Sequence, residues 1–207
     1  MAYQYKIGVS GSAVNNCAPG AYAKSREIGR QIALAGAVCV TGDTVGIPHA
    51  AAHGAKAAGG ITVGISPATS RTEHERKYRL PKDEMDIIMY TGFQYSGRNL
   101  LFIRSCDAII FICGRIGTLN EFTIAFEDRK PIGILTGTGG VADELEHIME
   151  VSQRGKSKVA IDDNPERLVR KVMELIEMDE CMRELKQKKT CEIRLGKRQV
   201  HQAKALK

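Results

Sequence analysis

The feature that most constrains this chain is the regular alternation of short apolar runs with helix-spaced segments, sustained for about 170 residues. Seven runs read as strands: residues 5–10, 37–41, 61–65, 87–90, 108–113, 131–135 and 158–161. The run at 108–113 is apolar throughout, the pattern of a strand covered on both faces. Between the runs, helical spacing is expected over 21–35 (Ile28, Ile32 and Ala35, stopped by Gly36), 46–58, 96–105, 118–127 and 141–151. A last helix spans 165–178, with Asn164 as its cap and Pro165 in its first position. Residues 68–84 are polar and charged with no sustained period and read as a long surface loop.

Strands separated by helices imply parallel pairing with right-handed crossovers, because a parallel connection needs a crossover element and the sheet twist favours one hand. The expected fold is therefore α/β, a doubly wound Rossmann-like sheet with helices on both faces. Residues 1–178 form one nucleotide-binding domain in this reading, and 179–207 a basic C-terminal extension, either helical or unstructured.

The formal net charge of +6 would suggest nucleic acid if it were spread over the domain. It is not. Residues 179–207 hold nine Lys and Arg against four Asp and Glu, which leaves 21 basic and 20 acidic side chains in the first 178 residues. Binding of nucleic acid through this tail is a third reading, placed behind a solvated helical extension because its basic residues have no interleaved aromatics to stack on bases. No apolar stretch approaches the ~20 residues of a membrane span, so no membrane partner is expected. The N-terminus lacks a basic-apolar-small signal layout, and the six cysteines lie far apart with no C-x-x-C pair. Both features point to a cytoplasmic protein with free thiols. His49 and His53 are four apart, but no third ligand accompanies them, and no metal site is expected.

In a doubly wound sheet, ligands bind at the carboxyl edge against helix N-termini. Four loops there carry unusual chemistry: Ser10-Gly11-Ser12-Ala13, Thr41 to Gly46, Thr91 to Asn99, and Cys113-Gly114-Arg115-Ile116-Gly117-Thr118. Gly114 and Gly117 permit a tight turn that brings backbone N–H groups near an anion, and Thr118 adds a hydroxyl. The alternative is a purely structural turn in which Thr118 and Glu121 form a capping box. Arg98, near the start of the 96–105 helix, opens on the same edge. A cation, an anion loop and the Glu121 carboxylate around one crevice suit a phosphorylated sugar. The loop Thr136-Gly137-Thr138-Gly139-Gly140 either lines this pocket or is only a turn.

Gly114-x-x-Gly117-Thr118-x-x-Glu121, with an arginine sixteen residues upstream, resembles the G-G-x-G-T-x-x-E motif and upstream arginine of the Lonely Guy family. That family was long labelled lysine decarboxylases and acts as nucleoside 5′-monophosphate phosphoribohydrolases. It belongs to a wider Rossmann-like group that includes molybdenum-cofactor carriers and DNA-processing protein A. The resemblance covers about residues 5–175 and extends to Thr41-Gly42 and to Arg104-Ser105-Cys106-Asp107. His74-Glu75-Arg76-Lys77 copies the letters of the family's H-E-R-K motif but falls in the charged loop, so the arginine's role goes to Arg98. The chain departs from the pattern at Arg115, where the family has glycine, and at Asp43, where glycine is common.

The resemblance implies cleavage of the N-glycosidic bond of a nucleoside monophosphate, with Glu121 and Arg98 catalytic. Gly114, Arg115, Ile116, Gly117, Thr118, Gly11, Ser12, Thr41, Gly42 and Asn99 would hold the phosphate and nucleotide. No cofactor is required in that reading, and nothing resembles a pyridoxal-phosphate lysine site. The alternative is a carrier or sensor that binds a nucleotide or molybdopterin-type cofactor without chemistry. The stretch Gly97-Arg98-Asn99 after Thr91-Gly92 resembles that branch more closely. The resemblance also implies a homodimer or higher homo-oligomer.

Overall fold

The computed structural model describes residues 4–14, 16–153 and 158–205, with side chains as far as Leu185. Seven strands form one parallel sheet: β1 (Lys6–Gly11), β2 (Val38–Thr41), β3 (Thr62–Ser66), β4 (Ile87–Tyr90), β5 (Ala108–Ile112), β6 (Ile132–Leu135) and β7 (Val159–Asp162). Their spatial order is β4-β3-β2-β1-β5-β6-β7. The helices are α1 (Ala21–Leu34), α2 (Ile47–Ala57), α3 (Arg71–Arg76), α4 (Gln94–Ser105), α5 (Ile116–Glu127), α6 (Leu145–Val151) and α7 (Pro165–Ala205).

Alternation along the central strands divides the core between the two faces. Ile7, Val9, Ile110 and Ile112 pack with Ile28 and Ile32 of α1, Ile47 of α2, and Leu168 and Val172 of α7. Ile109 and Phe111 point the other way, against Phe102 and Ile103 of α4, Phe122 of α5 and Leu145 of α6. The Phe111 and Phe122 rings meet edge to face at 5.5 Å, a preferred aromatic geometry. Both central strands are thus buried on both sides, which is why the run at 108–113 contains no polar residue.

Two expectations change, and a third, left open between a helix and an unstructured tail, comes out as helix. The 68–84 segment contains a helical turn, α3: the Ser70 hydroxyl accepts from Glu73 N–H and the Glu73 carboxylate accepts from Thr69 N–H. This reciprocal cap stabilises a helix too short to show a period. The helix expected over 141–151 begins instead as a 3-10 turn, Gly140–Glu144. Beyond Met178 the backbone stays helical to Ala205, so the extension continues α7. Its basic side chains from Lys186 onward lie outside the described residues, as does the side chain of Cys191. Asn164 does cap α7, its side chain accepting from Arg167 N–H at 3.0 Å.

The cysteines need a correction. Cys17 and Cys113 are joined by a disulfide, although 96 residues separate them. The sheet places the β1–α1 loop beside the end of β5, with the two Cα atoms 5.7 Å apart. Spacing along the sequence says nothing about such tertiary neighbours. Among the described residues, Cys39, Cys106 and Cys181 are free. No helix of the described residues is long and apolar enough to cross a membrane.

Candidate functional site

The strand order reverses between β1 and β5, the point at which a doubly wound sheet leaves a crevice above its carboxyl edge. A cavity of about 420 Å³ opens there. Its walls come from the β1 and β2 ends, from α4 and α5, and from the segment after α3. The size is that of a small-molecule site.

The floor is a buried ion pair. Arg98 of α4 donates from Nη1 to Glu121 Oε1 of α5 at 3.0 Å, and both side chains are less than a tenth exposed. The Ser10 hydroxyl at the end of β1 donates to the other oxygen, Oε2. Asn99, with its amide nitrogen turned toward the pair, donates to Glu121 Oε1 at 2.8 Å and to the Tyr95 carbonyl at 2.9 Å. Burial pushes the Glu121 carboxyl above the usual range, while Arg98 and the Ser10 hydroxyl pull it back toward ionisation. The Arg98 guanidinium also lies 5.9 Å from the Phe102 ring centroid. Its Nε–H is buried and has no hydrogen-bond partner among the described residues.

The loop from Gly114 to Thr118 follows from local backbone chemistry. Gly114 has φ +97°, and a side chain there would meet Thr118 at 2.5 Å, so only glycine makes this turn. The first N–H groups of α5 have no helical acceptor, and Gly117 and Thr118 place them at the cavity. Arg115 is the N-cap residue and makes no side-chain cap; it is exposed at the rim. Because α5 starts at Ile116, Thr118 is not its cap, and Glu121 turns inward to Arg98 instead of closing a capping box.

Of the residues expected at the site, Gly11, Ser12, Gly42, Arg98, Asn99, Arg115, Gly117, Thr118 and Glu121 line the cavity. Gly114 makes the turn behind the loop without lining it. Thr41 is buried and its hydroxyl accepts from Asp43 N–H at 3.1 Å, which shapes the β2–α2 turn. Ile116 is 79% exposed and stands outside the cavity. The Thr136–Gly140 loop does not line it either. Thr138 Oγ1 accepts from Cys113 N–H at 2.9 Å and so braces the anion loop from behind. His49 and His53 face acidic side chains, Asp83 at 3.5 Å and Glu84 at 2.7 Å. Arg76 is exposed and lies outside the cavity lining.

Sequence reading misses the wall formed by Tyr78, Arg79 and Leu80, together with Tyr95 and Phe102. Tyr78 and Tyr95 meet edge to face at 5.5 Å beside the cavity. Tyr95 falls in the Thr91–Asn99 loop already expected at the sheet edge, but Tyr78 stood alone in a charged stretch, and without α3 nothing placed it there.

This geometry defines a Rossmann-like protein with a crevice at the switch point, floored by a buried arginine–glutamate pair and open to the start of α5. Residues 4–169 match the SLOG cluster4 family, and the chain belongs to that family. The match is to this cluster of the wider Rossmann-like group and not to the Lonely Guy enzymes specifically. An uncharacterised protein of Archaeoglobus fulgidus is 34% identical over 130 residues, 63% of this chain and 79% of that protein. Among solved structures, the molybdenum cofactor binding protein of Rippkaea orientalis is similar at 31% identity and TM-score 0.67, covering 85% of this chain and 97% of that one. The molybdenum cofactor carrier protein of Chlamydomonas reinhardtii is similar at 27% identity and TM-score 0.68, covering 84% and 99%.

Proposed function

We propose that this protein binds and carries a phosphorylated ring compound, a molybdopterin-type cofactor being the first candidate, and does not hydrolyse a nucleotide. The observation that carries the reading is Arg98: a buried guanidinium at the cavity floor, tied to Glu121, with an Nε–H that none of the described residues satisfies. An anionic ligand would supply the missing acceptor, since a buried unpaired donor is costly. Its phosphate would sit at the N-terminus of α5, and its ring against Tyr78 and Tyr95. Arg79 and Arg115 add positive charge at the rim.

The hydrolase reading has less support. A base that activates water needs a carboxylate lone pair facing it, and every hydrogen bond the carboxylate already accepts lowers its basicity. Both oxygens of Glu121 are engaged, one by Arg98 and the other by Ser10. The similar structures named above are cofactor carriers or binders, which favours the same choice. A homo-oligomer remains part of the proposal, supported by Ile87, Met89 and Phe93, exposed apolar side chains on edge strand β4 and just beyond it. Size-exclusion chromatography with light scattering tests it.

The decisive experiment offers AMP and molybdopterin separately and records thermal stabilisation together with free base. Carriage predicts that molybdopterin raises Tm and that no adenine is released from AMP. Turnover of AMP to adenine would refute carriage and restore the phosphoribohydrolase.

A further inference from the structure

Arg98 faces a second carboxylate that does not line the cavity. Asp43, in the turn between β2 and α2, is fully buried, and neither of its oxygens has a hydrogen-bond partner among the described residues. Its backbone is left-handed (φ +53°), a conformation where glycine is the default. An acidic side chain there, without exposure, calls for a cause. The surroundings are shaped to admit it. A side chain on Gly64 would strike the Asp43 carboxyl carbon at 2.5 Å, and one on Gly42 would strike Arg98 Nη1 at 2.2 Å.

The groups facing Asp43 come from three helices: His49 of α2, His74 of α3 and Arg98 of α4. His74, the first letter of the misplaced H-E-R-K string, is fully buried, with Nδ1 3.7 Å from Asp43 Oδ2. Its Nε2 lies 2.9 Å from the Pro81 carbonyl oxygen. A carbonyl only accepts, so Nε2 carries the proton, and Nδ1 is the nitrogen free to gain or lose one. Nδ1 also lies 2.9 Å from Ser66 Oγ, whose hydroxyl donates to it when it is bare and accepts from it when it is protonated. The ring therefore has a satisfied geometry in either state.

We propose that Asp43 and His74 form a buried proton-holding couple that positions Arg98 and sets how much of its charge is available to an anionic ligand. The inference rests on the binding reading above. With Glu121 and Asp43 ionised and His74 neutral, Arg98 is flanked by two carboxylates and the cluster is net negative. One proton on the couple makes it neutral. Anion binding and proton uptake are then linked, each favouring the other. Burial pushes the Asp43 carboxyl up to about 6, against the pull of His74, Arg98 and His49, which places the change within reach of ordinary buffers. Asp43 and His74 are positioning residues, since neither lines the cavity.

The test begins on ligand-free protein. NMR titration from pH 8 to pH 5 should show proton uptake at Asp43, with the Arg98 Nε resonance following the same curve; Asp43→Asn should remove that response from Arg98. An Arg98 signal that ignores the couple in the wild type overturns the proposal, whether or not the variant folds. Binding is then measured by calorimetry with adenosine 5′-sulfate, whose own charge is constant across this range. Wild-type affinity should fall about tenfold from pH 5.5 to pH 8, a typical coupling, with proton uptake visible as a buffer-dependent enthalpy. Asp43→Asn should flatten both. Binding by the wild type with neither pH dependence nor proton uptake also overturns the proposal. A wild type that binds neither adenosine 5′-sulfate nor molybdopterin at any pH counts against the binding reading, and the Arg98 titration alone then decides the couple.

Discussion

Replacing Arg98 by Met keeps an unbranched chain against Phe102 but leaves Glu121 without its cation. The pair is 3.0 Å apart, with side-chain exposures of 5% and 9%, so water cannot take over the role of the guanidinium. Breaking a buried pair from one side costs about 3–5 kcal/mol. The Ser10 hydroxyl and the Asn99 amide remain to solvate the carboxylate, which puts the expectation at the lower end, about 3 kcal/mol near pH 8. The loss must shrink in acid. Burial already holds the Glu121 carboxyl above its ordinary value, and removal of Arg98 raises it further. A folded-state pKa above the unfolded value contributes stability at low pH that is lost as pH rises through it. Between the wild-type and variant values the penalty therefore grows by about 1.4 kcal/mol per pH unit. Asp43 loses the same cation and can add up to as much again. Urea unfolding of both proteins at pH 5.5, 6.5 and 8 measures this directly. In Arg98→Met/Glu121→Gln the share of the slope due to Glu121 should vanish. A single-variant penalty below about 1 kcal/mol with no pH dependence would show that the pair behaves as a solvated surface bridge, and the reasoning would fail.

Two further outcomes are expected. Gly114→Ala should destabilise the protein by more than about 2 kcal/mol and abolish anion binding, since it forces a side chain onto Thr118 at positive φ, whereas Gly117→Ala meets open space and should leave Tm within a few degrees. Paired melting curves of the two variants check the contrast. Cys17→Ser opens a covalent loop spanning 96 residues and should lower stability by about 2–5 kcal/mol, read as a drop in urea midpoint that a reductant reproduces in the wild type.

The sheet and its strand positions could be read from the chain because hydrophobic periodicity is local: the runs at 87–90 and 108–113 fall on β4 and β5 to within a residue. The anion loop could be read for the same reason, since Gly114 and Gly117 record a backbone requirement that holds wherever the loop sits. Arg98 and Glu121 were legible as candidates, but their pairing required the β1–β5 switch point to bring α4 beside α5. Everything that depends on contacts between distant segments waited for tertiary structure. The Cys17–Cys113 bond, the wall of Tyr78 and Arg79, and the burial of Asp43 against His74 join residues 96, 17 and 31 positions apart or more from their partners in the site. Charge and reactivity follow burial, and burial is a property of packing that no window of sequence contains. The sequence by itself therefore determined a doubly wound sheet and the glycine loop at its switch point. The tertiary structure decided that Glu121 is clamped by Arg98 and Ser10, and that a second carboxylate stands buried beside that arginine.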